Sequence, residues 1–275
     1  MATVEELLVF GKSHCHSAHA KILLGNVLKK NPLELLTCLE EEVPSDLAEL
    51  YQKEVLALQE GRPIQYVMGE VNFHGIPFFV DERVLIPRFE TEELVEKTIL
   101  YVQKYFQEPI DILDLCTGSG VIGLTLEKKL STKTVDLSDI SEDALEVAKK
   151  NKERLNSKAN LISSNYFQNI PKKYDLIISN PPYIAINEKI EQIVKDNEPE
   201  IALYAGEEGL DSYQEILKNI QPYMKEKCII AFEIGANQKD KIINLVKKYL
   251  PNTKIETHQD LSGRDRMLFI FQNLE

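Results

Sequence analysis

Asn180-Pro181-Pro182-Tyr183 is the stretch of this chain best equipped for chemistry. Asn180 offers an amide oxygen that accepts one N–H. The Pro181 carbonyl has no ladder partner nearby and accepts a second, and Tyr183 offers a flat apolar face. Two acceptors and a ring fit a planar substrate carrying an NH₂ group. Prolines donate nothing to a sheet ladder, so the apolar run Tyr174–Ser179 reads as a buried strand that must stop there. The loop then lies at a strand's carboxyl end, where open α/β sheets bind ligands. A plainer possibility, a stiff turn after a strand, is not excluded by four residues alone.

A second constellation lies upstream. Asp111 to Gly123 reads as strand, glycine turn and helix, and Gly118, Gly120 and Gly123 satisfy G-x-G-x-x-G. Asp139 follows at the tip of the next strand, where a carboxylate can accept both hydroxyls of a ribose. The pattern points to an adenosine-containing cofactor, either a dinucleotide or S-adenosylmethionine. With S-adenosylmethionine, Asp114 would sit near the amino acid's ammonium group, Asn165 would hydrogen-bond the adenine amine and Tyr166 would pack on the base. A nicotinamide is disfavoured because nothing else here handles a hydride. In a doubly wound sheet the two loops are neighbours across the switch point, so a sulfonium methyl on one side would face an NH₂ on the other. The reaction expected is direct methyl transfer. An amide nitrogen is a poor nucleophile and no His, Cys or Lys in the loop offers a base, so positioning and charge stabilisation should carry it.

The elements that must position these residues follow from the pattern. Candidate strands are Ile110–Leu115, Thr134–Ser138, Asn160–Ser163, Tyr174–Ser179, Cys228–Glu233, Lys254–Gln259 and Met267–Phe271. Candidate helices are Val121–Lys129, Glu142–Leu155, Ser212–Met224 and Gln238–Tyr249. Their alternation implies a mostly parallel sheet with helices on both faces, closed by an antiparallel hairpin of the last two strands. Leu85 to Glu92 leads into a helix reaching about Phe106. Residues 1 to about 60 look helical, with Ser45 as the cap of a helix over Asp46–Glu60. Tyr66–Val80 reads as a β-hairpin turning near His74-Gly75.

Bulk properties narrow the function. The 275 residues carry a net charge of −12, against an extended phosphate-binding surface. No apolar run approaches a membrane span and no signal-peptide pattern is present, so a cytoplasmic protein without membrane contact is expected. The four cysteines have no C-x-x-C spacing and read as free thiols. His14, Cys15, His16 and His19 lack the second cluster that a tetrahedral metal site needs, and no metal is expected.

These motifs resemble the release factor glutamine methyltransferase family (the HemK/PrmC type) over nearly the whole chain. The resemblance rests on Gly61-Arg-Pro-Ile-Gln-Tyr66 with Gly69, Leu85-Ile-Pro-Arg-Phe-Glu-Thr-Glu92, Asp114–Gly120 and Asn180–Tyr183. It continues through Glu198-Pro199, Ala202-Leu203, Gly209-Leu210, Glu233-Ile-Gly235 with Gln238, and Asp260–Arg266. It implies an α/β fold: a seven-stranded, doubly wound, Rossmann-like methyltransferase domain (89–275), a small all-helical N-terminal substrate-recognition domain (1–62) and a β-hairpin linker (63–88). It further implies N5-methylation of the glutamine in the Gly-Gly-Gln motif of class 1 peptide-chain release factors, by a monomer that leaves S-adenosylhomocysteine and does not itself bind nucleic acid. By the same resemblance, Asn180, Pro181, Pro182 and Tyr183 hold the glutamine, with Asn180, Pro181 and Tyr183 catalytic. Cys116, Thr117, Gly118, Ser119, Gly120, Asp139, Tyr166 and Asn180 line the cofactor. Three residues depart from the family pattern. Phe89 replaces a proline and should alter the loop or pack near the cofactor. Cys116 replaces a glycine, so the turn should not need a positive φ there. Asn165 replaces an aspartate and makes the adenine contact neutral. Two alternatives are an N-methyltransferase acting on the exocyclic amine of a nucleic-acid base, and a non-enzymatic interaction protein with a degenerate pocket. The acidic charge counts against the first, and intact Gly118, Gly120, Asp139 and Asn180 against the second.

Overall fold

The computed structural model describes residues 2–274. They group into two compact units: one runs to Glu70 and includes Glu191–Asn197, and the other holds Val71–Ile190 and Glu198 onward.

The first unit is helical, with α1 (Val4–His14), α2 (Ser17–Leu28), α3 (Pro32–Thr37), α4 (Ser45–Gln59) and α5 (Ile64–Met68). Thr3 and Glu6 close a capping box on α1, and Asn31 and Glu34 close another on α3. Apolar residues at three- and four-residue spacing turn Leu7, Leu8, Leu23, Leu24 and Val55 into one buried cluster around Tyr51. Gly11 makes that packing possible, because a Cβ there would lie 1.9 Å from the Tyr51 hydroxyl oxygen. Two expectations are corrected. Ser45 is the first residue of α4, not its cap; Pro44 holds the N-cap position, where its fixed φ sets the turn and its side chain makes no capping hydrogen bond. Tyr66 to Met68 lie in α5, not in a strand, between Pro63 at the N-cap and Gly69 at φ +66. Five residues are too few for periodicity to tell helix from strand.

β1 (Glu70–Phe73) and β2 (Ile76–Phe79) form a hairpin. Its turn residues, His74 at φ 55 and Gly75 at φ 77, both take the left-handed conformation that two-residue hairpins demand.

The rest of the second unit alternates: α6 (Phe89–Tyr105), β3 (Ile110–Leu115), α7 (Val121–Lys129), β4 (Thr132–Asp139), α8 (Glu142–Arg154), β5 (Asn160–Ser163) and β6 (Tyr174–Ser179). The chain then contributes a short helix, α9 (Gln192–Asn197), to the first unit, and the second unit resumes with α10 (Asp211–Asn219), β7 (Met224–Glu233), α11 (Lys239–Tyr249), β8 (Lys254–Gln259) and β9 (Asp265–Gln272). The sequence pattern did not anticipate α9. The expected helix Ser212–Met224 is cut short: Pro222 cannot continue it, and Met224 instead opens β7.

The strands form one seven-stranded sheet in the order β5-β4-β3-β6-β7-β9-β8. It is parallel from β5 to β7, while β9 runs antiparallel to both β7 and β8. This is the seven-stranded, doubly wound architecture that the motifs imply. The central strands β3, β6, β7 and β9 are largely buried on both sides, and their alternation feeds two cores. Ile112, Leu176, Ile178, Phe269 and Phe271 face α6 and α7, and Leu113, Ile177, Ile230, Phe232 and Ile270 face α10 and α11. The third glycine of the fingerprint has a packing role. A Cβ on Gly123 would stand 2.2 Å from Leu137 Cδ2, so α7 could not lie this close to the sheet.

Candidate active site

β3 and β6 are neighbours, with Leu115 opposite Ser179. The Ser179 hydroxyl donates to the Leu115 carbonyl at 2.5 Å. The glycine loop and the Asn180 loop therefore leave the sheet side by side at its switch point. The glycine loop opens on Cys116 at φ 60. This corrects the expectation for that residue: the turn does require the left-handed region, and a cysteine occupies it at about 1–2 kcal/mol of local strain. The reversal lets the Thr117 N–H reach the Ser138 carbonyl at 2.9 Å.

Two carboxylates hold this loop from opposite sides. Asp139, at the end of β4, accepts the Gly118 N–H at 2.8 Å and the Ser141 N–H at 3.0 Å. Burial pushes its carboxyl above the ordinary range, and those backbone donors oppose the shift. Asp114 is fully buried behind the loop, accepting the Thr117 hydroxyl at 2.5 Å and the Gly123 N–H at 2.9 Å through Oδ2. Its Oδ1 is buried and meets no partner among the described residues, and burial pushes its carboxyl up to about 7.

A cavity of about 360 Å³ opens above these loops. Cys116, Thr117, Gly118, Ser119, Asp139, Asn165, Tyr166, Asn180 and Pro182 line it, together with Thr91 and Ile201. Asp114, Gly120, Pro181 and Tyr183 stand outside the lining. Tyr166 takes a left-handed backbone at φ 47, and its carbonyl accepts the Ser164 hydroxyl at 2.8 Å. Phe89, a residue that departs from the family pattern, is the first residue of α6, is 59% exposed and does not line the cavity.

The Asn180 loop is braced from several elements. The Asn180 amide nitrogen donates to Thr91 Oγ1 at 3.3 Å. The Thr91 hydroxyl donates to Glu233 Oε2 at 2.6 Å, and the Tyr183 hydroxyl to Glu233 Oε1 at 3.2 Å. Burial raises the Glu233 carboxyl, while Thr91, the Arg266 charge and Tyr183 pull it down. Burial likewise pushes the Tyr183 phenol well up, so it stays a hydrogen-bond donor. The Tyr183 carbonyl accepts the Gln238 side-chain N–H at 2.8 Å, and Gln238 Oε1 receives the Gly235 N–H at 3.0 Å. Glu198 pairs with Arg88 and takes the Ile86 N–H at 3.2 Å, pinning the segment that leads into α6. The Pro181 carbonyl accepts no hydrogen bond among the described residues. Thr91, Glu198, Glu233 and Gln238 received no role from sequence reasoning, although each lies in a quoted motif. For Glu233 part of a signal was available: it ends an apolar strand, so it had to emerge at the ligand-binding end of the sheet, while its place beside Asn180 follows from the pairing of β6 with β7.

The site can therefore present the Asn180 amide oxygen to an NH₂ group, in a nucleotide-sized cavity with a carboxylate at a strand tip; the Pro181 carbonyl, the second acceptor expected, lies next to it in the chain but outside the lining. The cavity's volume falls within the range of small-molecule sites, about 300–1,000 Å³, and the donor set suits an adenosine bearing a charged amino acid.

Residues 91–197 match the methyltransferase small domain family and residues 15–69 the PrmC N-terminal domain family. A release factor glutamine methyltransferase of Bacillus anthracis is 35% identical over 255 residues, covering 90% of each chain. One of Bacillus subtilis is 34% identical over 280 residues, covering 98% of this chain and 97% of its own. Among solved structures, a methyltransferase from Pyrococcus furiosus superposes with a TM-score of 0.53 at 16% identity, over 72% of this chain and 90% of its own, which supports the fold.

Proposed function

Since this chain belongs to the release factor glutamine methyltransferase family, we propose that it methylates the side-chain amide nitrogen of the glutamine in the Gly-Gly-Gln motif of class 1 peptide-chain release factors. The observation that carries this reading is the shared cavity: the glycine loop with Asp139 and the Asn180 loop open into one space. When bound, S-adenosylmethionine supplies an electrophilic sulfonium methyl, and S-adenosylhomocysteine is its product. Asp139 is the acceptor for the ribose hydroxyls, and Cys116, Thr117, Gly118 and Ser119 give the cofactor a close backbone approach. Asn165 and Tyr166 bound the adenine end. Asp114 acts from behind the loop, holding Thr117 and Gly123.

Asn180 Oδ1 and the Pro181 carbonyl accept the two N–H bonds of the glutamine amide. This steers the nitrogen lone pair and stabilises the positive charge that develops on nitrogen during transfer; the C–S bond breaks as the N–C bond forms, and one N–H proton then leaves the nitrogen to solvent, since the loop holds no base. Pro182 stiffens the loop, and Tyr183, tethered at its hydroxyl and its carbonyl, offers the flat face. The helical unit up to Glu70 serves recognition of the protein substrate. The enzyme works as a monomer in the cytoplasm without binding nucleic acid. Among the described residues no helix is long and apolar enough to cross a membrane.

The test is transfer of labelled methyl from S-adenosylmethionine to a purified release factor, against the same factor with its Gly-Gly-Gln glutamine changed to alanine. Label on the first and none on the second is expected. Label on neither, or on a nucleic acid offered in parallel, overturns the assignment.

A further inference from the structure

Behind Asn180 the hydrogen bonds run in one direction. Glu233 is 1% exposed and meets two hydroxyl donors, Thr91 at 2.6 Å and Tyr183 at 3.2 Å. An ionised carboxylate only accepts, so both hydroxyl protons point at it. Having given its single proton to Glu233, Thr91 Oγ1 retains acceptor capacity alone. The Asn180 atom 3.3 Å from it must then be the amide nitrogen. The two ends of an asparagine amide are otherwise interchangeable in shape, and here chemistry decides between them. Oδ1, the opposite corner of the same planar group, meets no donor among the described residues, and Asn180 lines the cavity.

We propose that Thr91 and Glu233 are positioning residues that set the polarity of Asn180, so that the site presents an oxygen to a substrate –NH₂ and rejects a carboxylate oxygen in the same place. This rests on the reading of the site as a glutamine amide site. The selectivity follows from the chain of donors. If Glu233 gained a proton, its hydroxyl would donate to Thr91, the Thr91 proton would turn to Asn180, and the amide would reverse to show its NH₂. The site would then suit glutamate better than glutamine.

The groups that govern Glu233 come from every element around it. Burial raises it, the Thr91 hydroxyl and the Arg266 guanidinium from β9 lower it, the Tyr183 hydroxyl lowers it further, and Glu90 on α6 raises it. From α10 the Tyr213 hydroxyl donates to the Glu233 backbone carbonyl at 2.7 Å and fixes the end of the strand. Arg266 is anchored in turn by Asp260 and by the Ile234 carbonyl.

The experiment uses the full-length enzyme with Thr91→Val, Thr91→Ser and Glu233→Gln. The probes are a purified release factor and the same factor with its Gly-Gly-Gln glutamine changed to glutamate. Single-turnover methyl transfer reports on the chemical step, and competition between the two factors reports on polarity. Thr91→Val is expected to slow transfer about tenfold, less than the ~10²–10³ of deleting a preorganised polar partner outright, and to narrow the glutamine-over-glutamate binding preference. Thr91→Ser keeps the hydroxyl and should restore both. Glu233→Gln no longer obliges Thr91 to donate and should reproduce the Thr91→Val loss of preference; it serves if Thr91→Val does not fold. The inference is overturned if Thr91→Val and Glu233→Gln keep the wild-type preference, or if Thr91→Ser is impaired as much as Thr91→Val. A wild-type enzyme that labels no release factor would instead overturn the function proposed above.

Discussion

At the residue scale, the site depends on polar groups placed where water does not reach. Asp114 is the sharpest case. Burial lifts its carboxyl to about 7, with the Thr117 hydroxyl and the Gly123 N–H opposing and Asp139 adding to the rise. The unfolded chain returns it to near 4. Between those values the unfolded state has lost the proton and the folded state still holds it. Raising the pH through that window therefore favours unfolding, by about 1.4 kcal/mol per pH unit for this one group, and the effect ends once both states are ionised. Asp114→Asn keeps an oxygen for both donors and removes the titration. Chemical unfolding of the two proteins should show the variant gaining on wild type from about pH 4 to about pH 7; a constant difference across that range would refute the assignment. Cys116 tells a related story. Its residue type suggested a relaxed turn, but the turn is dictated by where Thr117 and Ser138 must meet.

At the scale of elements, a strand end matters more than a strand. β3, β4, β6 and β7 deliver Cys116, Asp139, Asn180 and Glu233 to one edge of the sheet, and α6 brings Thr91 across to them. The loop behind Tyr183 shows how tight this assembly is. Gly209 has φ +68, and a Cβ there would stand 2.1 Å from the Tyr183 carbonyl oxygen and 2.7 Å from Gln238 Nε2. Gly75 also has a positive φ, +77, but open space around it. Gly75→Ala should therefore cost about 1 kcal/mol, from backbone strain alone. Gly209→Ala should cost more and also slow methyl transfer, because the Tyr183 backbone has to move. Thermal melts of both variants, with transfer rates, check this. Equal melting temperatures and unimpaired transfer would show that the loop is not braced as described.

At the scale of the whole molecule, the cofactor should act as a stabilising ligand. A ligand that binds only the folded state adds about 2.7 kcal/mol at one hundred times its Kd. For a chain of this size that is a rise of roughly 5–10 °C in Tm. S-adenosylhomocysteine should produce such a rise in a melting assay, and adenine dinucleotides should not. The reverse ranking would return the glycine loop to the dinucleotide reading that its spacing also allows.

Much of this was legible in the chain itself. Apolar runs such as Ile110–Leu115, Tyr174–Ser179, Cys228–Glu233 and Met267–Phe271 specify a two-sided sheet, because a strand buried on both faces has to be largely apolar. Asn180 to Tyr183 and Gly118 to Gly123 name their own chemistry, since prolines end a ladder and glycines allow backbone approach. Short pieces were not legible. Tyr66 to Met68 fold as a turn of helix because Pro63 and Gly69 bracket them, and five residues carry too little periodicity to say so. Thr91 and Glu233, 142 residues apart, gain their role only when strand order sets β7 beside β6 and α6 packs on β7. Hydrophobic period and turn chemistry are local properties that a sequence carries in full. The direction of a hydrogen-bond chain depends on which distant groups are brought within 3 Å or so of one another and shut away from water, and that is decided by the tertiary fold.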